Sequence, residues 1–365
     1  MTQLRIAVIG AGHLGRIHAK LLGSVEGAKL AGISDPIESA RENVQAHHPV
    51  PVVADYHELI PKIDAAVIAS PTDSHAKIAR DLIKAGKHVF VEKPLTIDRV
   101  DASQLASLAA AKRLTLQVGH VERFNPAFTS LGELGVDVKY VEAVRASRFP
   151  GRCLDVGVVM DLMIHDLDLV LSMTDAPIKS ISGSGVSVLT NYEDIAETRI
   201  EFECGLVANL KASRISPAPA RQMQVFGSNG FADIDFGAPA LSVVRPCESL
   251  VNRSFNLYEE TDNPIGYADT LFGDQLNCET LELEPRNAIL DELHDFVISV
   301  QSGMAPTVDG VSGARAVDIA QRVLEVIDER VWYANPKTSE IGPHALVRER
   351  IEQTSRRVHR DRRAA

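Results

Sequence analysis

The chain has 365 residues, a length that suits two domains, with 45% apolar and 24% charged residues. That composition belongs to ordinary globular proteins and excludes disordered, collagen-like and fibrous classes. Its 38 Lys and Arg against 49 Asp and Glu give a formal charge of -11, which argues against nucleic acid or an anionic membrane as the main partner and leaves small molecules as the leading class.

The N-terminal segment Met1 to Gly10 runs into a glycine loop before any secretory core develops. The apolar run from Val156 to Leu171 is broken by Asp161, His165, Asp166 and Asp168, so no stretch approaches the ~20 apolar residues of a membrane span. A cytoplasmic protein with no membrane contact is expected. The four cysteines, Cys153, Cys204, Cys247 and Cys278, form no Cys-x-x-Cys pair, so neither a zinc ribbon nor a redox motif is indicated.

The first 120 residues alternate short β-branched runs with helical patterns, as βαβ units of a parallel sheet do. Strands are expected at Leu4 to Ile9, Lys29 to Ser34, Ala65 to Ala69, His88 to Val91 and Thr115 to Val118, and helices at Leu14 to Leu22, Ile37 to Ala46, Ser74 to Ala85 and Arg99 to Ala111. Beyond Gly119 the texture changes. Helices are expected at Asn125 to Leu134 and Val159 to Met173. Short strands follow at Lys179 to Val188, Glu197 to Glu203, Leu206 to Ser213, Gln222 to Gly227 and Phe231 to Phe236. The turns between them suggest antiparallel neighbours. Helices return at Pro285 to Val300 and Ser312 to Arg330, the latter able to pack back on the first domain, while 245 to 284 carry few periodic signals. The fold class is an α/β Rossmann domain over residues 1–119 and an α+β domain over 120–336. A tail over 337–365 has a local charge of +4 and reads as a solvated end or a basic docking helix.

Gly10-Ala11-Gly12-His13-Leu14-Gly15 follows an apolar strand and opens a helix, with Asp35 twenty residues after Gly15 at the end of the second strand. Those are the conditions of a dinucleotide site. Gly10 allows the tight turn, Gly12 lets the backbone approach a pyrophosphate, and Gly15 lets helix and strand close up. A carboxylate at Asp35 suits the ribose hydroxyls and repels a 2'-phosphate. No Arg occurs in Asp35-Pro36-Ile37-Glu38, so NAD is favoured over NADP. His13 faces solvent or the cofactor without doing chemistry, and His18 reads as a packing residue.

Glu92-Lys93-Pro94 closes the fourth expected strand, where α/β sheets present residues to a ligand, and a lysine there can act as general acid or base. Taken singly, the pair reads more readily as an ordinary surface ion pair. Together with Gly15-Arg16-Ile17-His18-Ala19, Ala69-Ser70-Pro71-Thr72, His75, Ala85-Gly86-Lys87-His88-Val89 and Leu95, these motifs resemble the glucose-fructose oxidoreductase / inositol dehydrogenase (Gfo/Idh/MocA) family. The resemblance implies an NAD(P)-dependent oxidoreductase. Its second domain would be an open, mainly antiparallel sheet, whose free face packs in a homodimer or homotetramer. It also implies that Ser70, Pro71, Thr72, His75, Glu92 and Lys93 lie at the cofactor.

Asp161-Leu162-Met163-Ile164-His165 resembles the family's second catalytic element. Four residues apart on a helix, Asp161 and His165 share a face. By resemblance Lys93 and His165, with Asp161, handle the proton and orient the substrate, and no metal is required. Arg123 and Asn125 in Gly119-His120-Val121-Glu122-Arg123-Phe124-Asn125-Pro126 are substrate-binding candidates, as are Arg148 and Arg152 for a diphosphate. With Asp161 to Asp168, this segment resembles family members that oxidise the 3-hydroxyl of UDP-linked N-acetylglucosamine and feed an aminotransferase. Two alternatives stand beside that reading. One is an inositol or monosaccharide dehydrogenase, and the other is a non-catalytic dinucleotide-binding regulator.

Overall fold

The computed structural model describes residues 3–149, 151 and 156–329. Arg152 and the tail over 337–365 lie outside the described residues. No helix among those described is long and apolar enough to cross a membrane. The chain forms two compact units.

The first unit comprises the chain up to Asn125 with Leu167–Leu171 and Pro285–Gln321. Its sheet contains β1 (Leu4–Ile9), β2 (Ala28–Ser34), β3 (Val52–Val53), β4 (Ala65–Ile68), β5 (His88–Glu92) and β6 (Leu116–Gly119), ordered β3-β2-β1-β4-β5-β6. All neighbours are parallel, the doubly wound Rossmann arrangement. Helices α1 (His13–Leu21), α2 (Glu38–Gln45), α3 (Thr72–Lys84) and α4 (Arg99–Ala111) alternate with the strands. In β4 every residue is buried, which is why its sequence, Ala65-Ala66-Val67-Ile68, shows no alternation.

The helix Ala288–Ser302 contributes Leu293, Phe296 and Val297 to the same core as Ile6, Val8, Leu22, Ile33 and Phe90, each such burial worth about 1.5–3 kcal/mol. Phe296 meets Phe90 edge to face at 5.9 Å between centroids. Val118 N donates to Val308 O at 3.0 Å, beside a bridge between Gln117 and Asp309. The C-terminal helical segment therefore completes the Rossmann unit, whereas sequence position alone groups it with the domain over 120–336.

The second unit comprises the described residues of Pro126–Asp166 and Ser172–Glu284 and those from Arg322 onward. Helix α5 (Pro126–Glu133) precedes β7 (Val138–Ala146). Further strands are β8 (Ile178–Val186), β9 (Ile195–Phe202), β10 (Val207–Ser213), β11 (Ala220–Gly227), β12 (Gly230–Asp235), β13 (Ala240–Pro246) and β14 (Leu276–Leu281). The order is β14-β13-β12-β11-β7-β10-β9-β8, antiparallel throughout except for β7 beside β10. Inward residues such as Val141, Ile200, Leu210, Val225 and Ile234 are buried, and outward ones such as Glu142, Glu197 and Lys211 are exposed. One face is thus covered and the other is polar and open. Three strands, β7, β13 and β14, are additions to the sequence-based set.

The expected helix over Val159 to Met173 has two parts. Val159–Met163 is a π-helical turn, and α6 (Ile164–Ser172) continues it as α-helix.

Candidate active site

At the end of β1 the backbone turns through Gly10 at φ 99°, a left-handed conformation that L side chains resist. A Cβ there would lie 2.6 Å from the Ala69 carbonyl, and one at Gly15 would overlap the Gly10 carbonyl oxygen. Both glycines are needed for backbone to pack on backbone. Gly12 differs, because nothing lies within 4 Å of its Cβ position. That open space stands before the first turn of α1, where His13 is exposed and Leu14 half-buried. A free helix N-terminus with unoccupied space above it fits the pyrophosphate of a dinucleotide.

Asp35 follows β2 and is buried. Its Oδ2 accepts from Ala11 N at 2.7 Å and its Oδ1 from Ile37 N at 2.8 Å, so it braces the glycine loop. Arg41, one turn into α2, donates from Nη1 to the carbonyls of Asp35 and Pro36, both at 2.9 Å. Arg41 lies three residues beyond Glu38, outside the stretch 35–38 that holds no arginine. A charged hydrogen bond contributes about 1.5–3 kcal/mol, so Asp35→Ala is expected to narrow the NAD-over-NADP preference by about tenfold or more. Arg41 would remain to meet a 2'-phosphate. Titration with both cofactors measures this, and an unchanged preference removes Asp35 from the ribose role.

Ser70 and Pro71 lie between β4 and α3, and Thr72 opens α3. Ser70 Oγ lies 2.6 Å from Ser74 Oγ. His75 is buried on the first turn of α3, with Nδ1 at 2.9 Å from Pro94 O and Nε2 at 2.9 Å from Ser70 O. It clasps the loops after β4 and β5 together.

β5 delivers Glu92 and then half-buried Lys93, whose N–H donates to Glu92 Oε2 at 3.2 Å. Glu92 Oε1 lies 2.6 Å from Nε2 of fully buried His18. His18 packs, as expected, but it also holds the acidic residue of the Glu-Lys-Pro corner. Register pairs Glu92 with Gly119, so His120 follows β6 directly across from Lys93. His120 is buried, and burial holds its imidazole below the usual value. Asp168 opposes that shift, while Lys93 and Arg123 add to it. Asp168 is likewise buried, which pushes its carboxyl up against the pull of His120 and Arg123. Its Oδ2 has no hydrogen-bond partner among the described residues. Asn125 Nδ2 donates to Glu122 Oε2 at 3.1 Å and Arg123 Nη2 to Thr307 O at 3.3 Å.

In the second unit buried Asp161 occupies the π turn and half-buried His165 the start of α6. Glu193 caps this segment. Its carbonyl accepts from Val158 N at 3.0 Å and its Oε1 from Val159 N at 3.1 Å. Burial raises the Glu193 carboxyl, and the bond from Val159 opposes the shift. Next to His165, Asp166 is gripped by Arg145 through Nε at 3.1 and 3.2 Å and Nη2 at 2.7 Å, with both residues buried. Arg148 is exposed and donates from Nε to Pro217 O at 2.8 Å.

The structure therefore gathers Gly10, Gly12, His13, Leu14, Gly15 and Asp35 at one loop, and Ser70, His75, Glu92 and Lys93 at the carboxyl edge of the same sheet. Asp161 and His165 belong to the other unit. Sequence reasoning misses Arg41, His120, Arg145 and Glu193 as contributors, and it misses the joining of His18 to Glu92. Only His120 has a local signal, its place directly after a strand end.

Residues 4–120 match the model of the oxidoreductase family with an NAD-binding Rossmann fold, and residues 134–233 match the GFO/IDH/MocA C-terminal domain. The chain is 33% identical over 329 residues to UDP-N-acetylglucosamine 3-dehydrogenase of Acidithiobacillus ferrooxidans, covering 90% of this chain and 98% of that one. The chain belongs to the Gfo/Idh/MocA family. As a family member it is an NAD-dependent dehydrogenase. The solved structure of the Acidithiobacillus enzyme superposes with a TM-score of 0.79 at 32% identity, over 90% of this chain and 99% of that one. A scyllo-inositol 2-dehydrogenase (NAD(+)) of Bacillus subtilis is 34% identical over 240 residues, 59% of this chain and 68% of that one.

Proposed function

We propose that this Gfo/Idh/MocA member oxidises the 3-hydroxyl of UDP-N-acetylglucosamine to the 3-keto sugar nucleotide. The observation that carries the reading is the match to the UDP-N-acetylglucosamine 3-dehydrogenase across 98% of that chain, which takes in both domains. NAD, when bound, supplies the hydride acceptor. The chain's own residues do the rest. Gly10, Gly12, His13, Leu14 and Gly15 cradle the pyrophosphate, Asp35 holds the ribose, and Ser70, Pro71, Thr72, His75 and Glu92 shape the pocket edge. Lys93 Nζ takes the hydroxyl proton, and His165, supported by Asp161, orients the sugar and shares the proton. Arg123, Arg148 and Arg152 attract the diphosphate against a net charge of -11, with Asn125 as a further hydrogen-bonding group. The enzyme acts as a homodimer or homotetramer in the cytoplasm and hands its product to an aminotransferase.

The protein mixed with NAD and UDP-N-acetylglucosamine is expected to produce reduced-nicotinamide absorbance, with the new carbonyl at C3 by NMR. No reduction with that substrate but turnover of free inositol or glucose would replace the reading with a polyol or monosaccharide dehydrogenase. The 34% identity to the scyllo-inositol enzyme favours that second reading. No reduction with any sugar would leave a non-catalytic dinucleotide binder.

A further inference from the structure

Beneath the Glu-Lys-Pro corner, three buried groups of the first unit converge from different elements: His18 on α1, Glu92 at the end of β5, and Glu292 on the helix Ala288–Ser302. Their exposures are 0%, 7% and 1%, and one nitrogen or oxygen from each lies within 4.8 Å of the others. Glu92 has a partner at each oxygen, whereas His18 Nδ1 has none among the described residues. His18 Nε2 and Glu92 Oε1 are 2.6 Å apart, and Glu92 Oε2 accepts from Lys93 N. Glu292 Oε2 has no hydrogen-bond partner among the described residues. Phe90 lies edge-on to His18 at 5.3 Å.

We propose that Glu292 is held as a neutral carboxylic acid, so that this cluster binds a proton, and that Glu292 is thereby a positioning residue for the Glu92–Lys93 corner. Two carboxyls this close in a dry site cannot both ionise. Glu92 has the stronger claim to the charge, because His18 and the Lys93 N–H already serve it. Of the groups facing Glu292, the His18 imidazole lies within 4.8 Å, and its Nε2 is already engaged by Glu92. Asp295 lies on its own helix, and Gln117 of β6 is neutral and donates from Nε2 to the Glu292 carbonyl at 2.9 Å. The turn Val121–Phe124 brings buried Glu122 and Arg123, whose Nη2 is committed to Thr307 O. Burial, and then the charges of Glu92 and Asp295, push the Glu292 carboxyl well above its usual range. At Glu92 burial acts upward too, but the bond and charge of His18 and the charge of Lys93 bring the carboxyl below its usual range.

A proton fits the geometry better than a metal. A tetrahedral ion with bonds of about 2.1 Å holds its ligand atoms about 3.4 Å apart, whereas His18 and Glu92 meet at 2.6 Å. Ionising Glu292 would place a second anion in competition for His18 and loosen Glu92 from it. The consequence for turnover rests on the reading of Lys93 as proton acceptor, but the bound proton does not.

The test is infrared difference spectroscopy of the full chain and of Glu292→Gln, with thermal midpoints across neutral to alkaline pH. A neutral-acid carbonyl band that moves in D2O and is absent from Glu292→Gln is expected. A carboxyl raised on folding contributes stability below its unfolded value and loses it as pH climbs through the folded value. The midpoint of Glu292→Gln is therefore expected to rise relative to the parent as pH increases. Turnover of the Gln variant should stay within about twofold of the parent, while Glu292→Ala lowers kcat and leaves the KM for NAD unchanged. Absence of the acid band, a stoichiometric divalent metal in the purified protein, a Gln variant as pH-sensitive as the parent, or a large loss of turnover in that variant would each overturn the proposal. The infrared band needs no substrate, so its failure and failure of the sugar assay are separate outcomes.

Discussion

Lys93→Met is expected to lower kcat by about a hundredfold to ten-thousandfold, the range that positioned proton transfer contributes, with NAD binding retained. Methionine keeps the unbranched stem that half-buried Lys93 needs and removes only the ammonium. The Lys93 N–H to Glu92, at 3.2 Å, is a backbone donor and survives the exchange. The corner therefore stays built while the group at its tip disappears. A loss confined to kcat, with cofactor affinity measured by titration of reduced-nicotinamide fluorescence, places Lys93 at the reacting hydroxyl. Full turnover in the variant would remove it from the mechanism.

The second large effect is on stability. Arg145→Met leaves Asp166 buried with its guanidinium partner gone, and breaking such a pair costs about 3–5 kcal/mol. A clearly lowered thermal midpoint is expected. Replacing both partners together should recover much of it, because two apolar groups leave no stranded charge. Asp166 adjoins His165, so the surviving protein should also lose kcat beyond what the stability change accounts for. An Arg145→Met protein as stable as the parent would show that Asp166 finds another partner.

The Rossmann unit was largely legible in the sequence for a physical reason. Its central strands are buried on both faces, so β1 reads with the bounds it adopts, and α4 does so because Asp98 caps its start. β3 is two residues at a sheet edge and carries no periodic signal. β7 is hidden because its inward positions include Ala143 and Arg145, one small and one charged, which erases the apolar alternation. β14 is mostly exposed along its length, so neither of its faces announces a core. The glycine loop, Asp35 and Lys93 were readable because each lies at a strand end whose chemistry is local. The bond between His18 and Glu92 joins positions 74 apart in sequence, and Glu193 reaches Val159 across 34. Long-range polar pairing of that kind leaves no trace in residue order. The π turn is equally silent, since Val-Met-Asp-Leu-Met suits an α-helix just as well.

That turn sets a clock for the helix behind it. Five residues from Val159 to Met163 complete one loop of the ladder where an α-helix would need fewer. Deleting Leu162 would shorten the spacing of Asp161 and His165 from four residues to three and turn one about the axis relative to the other, with neither side chain altered. The relative placement of this carboxylate and this imidazole therefore depends on the length of the segment as well as on its side chains.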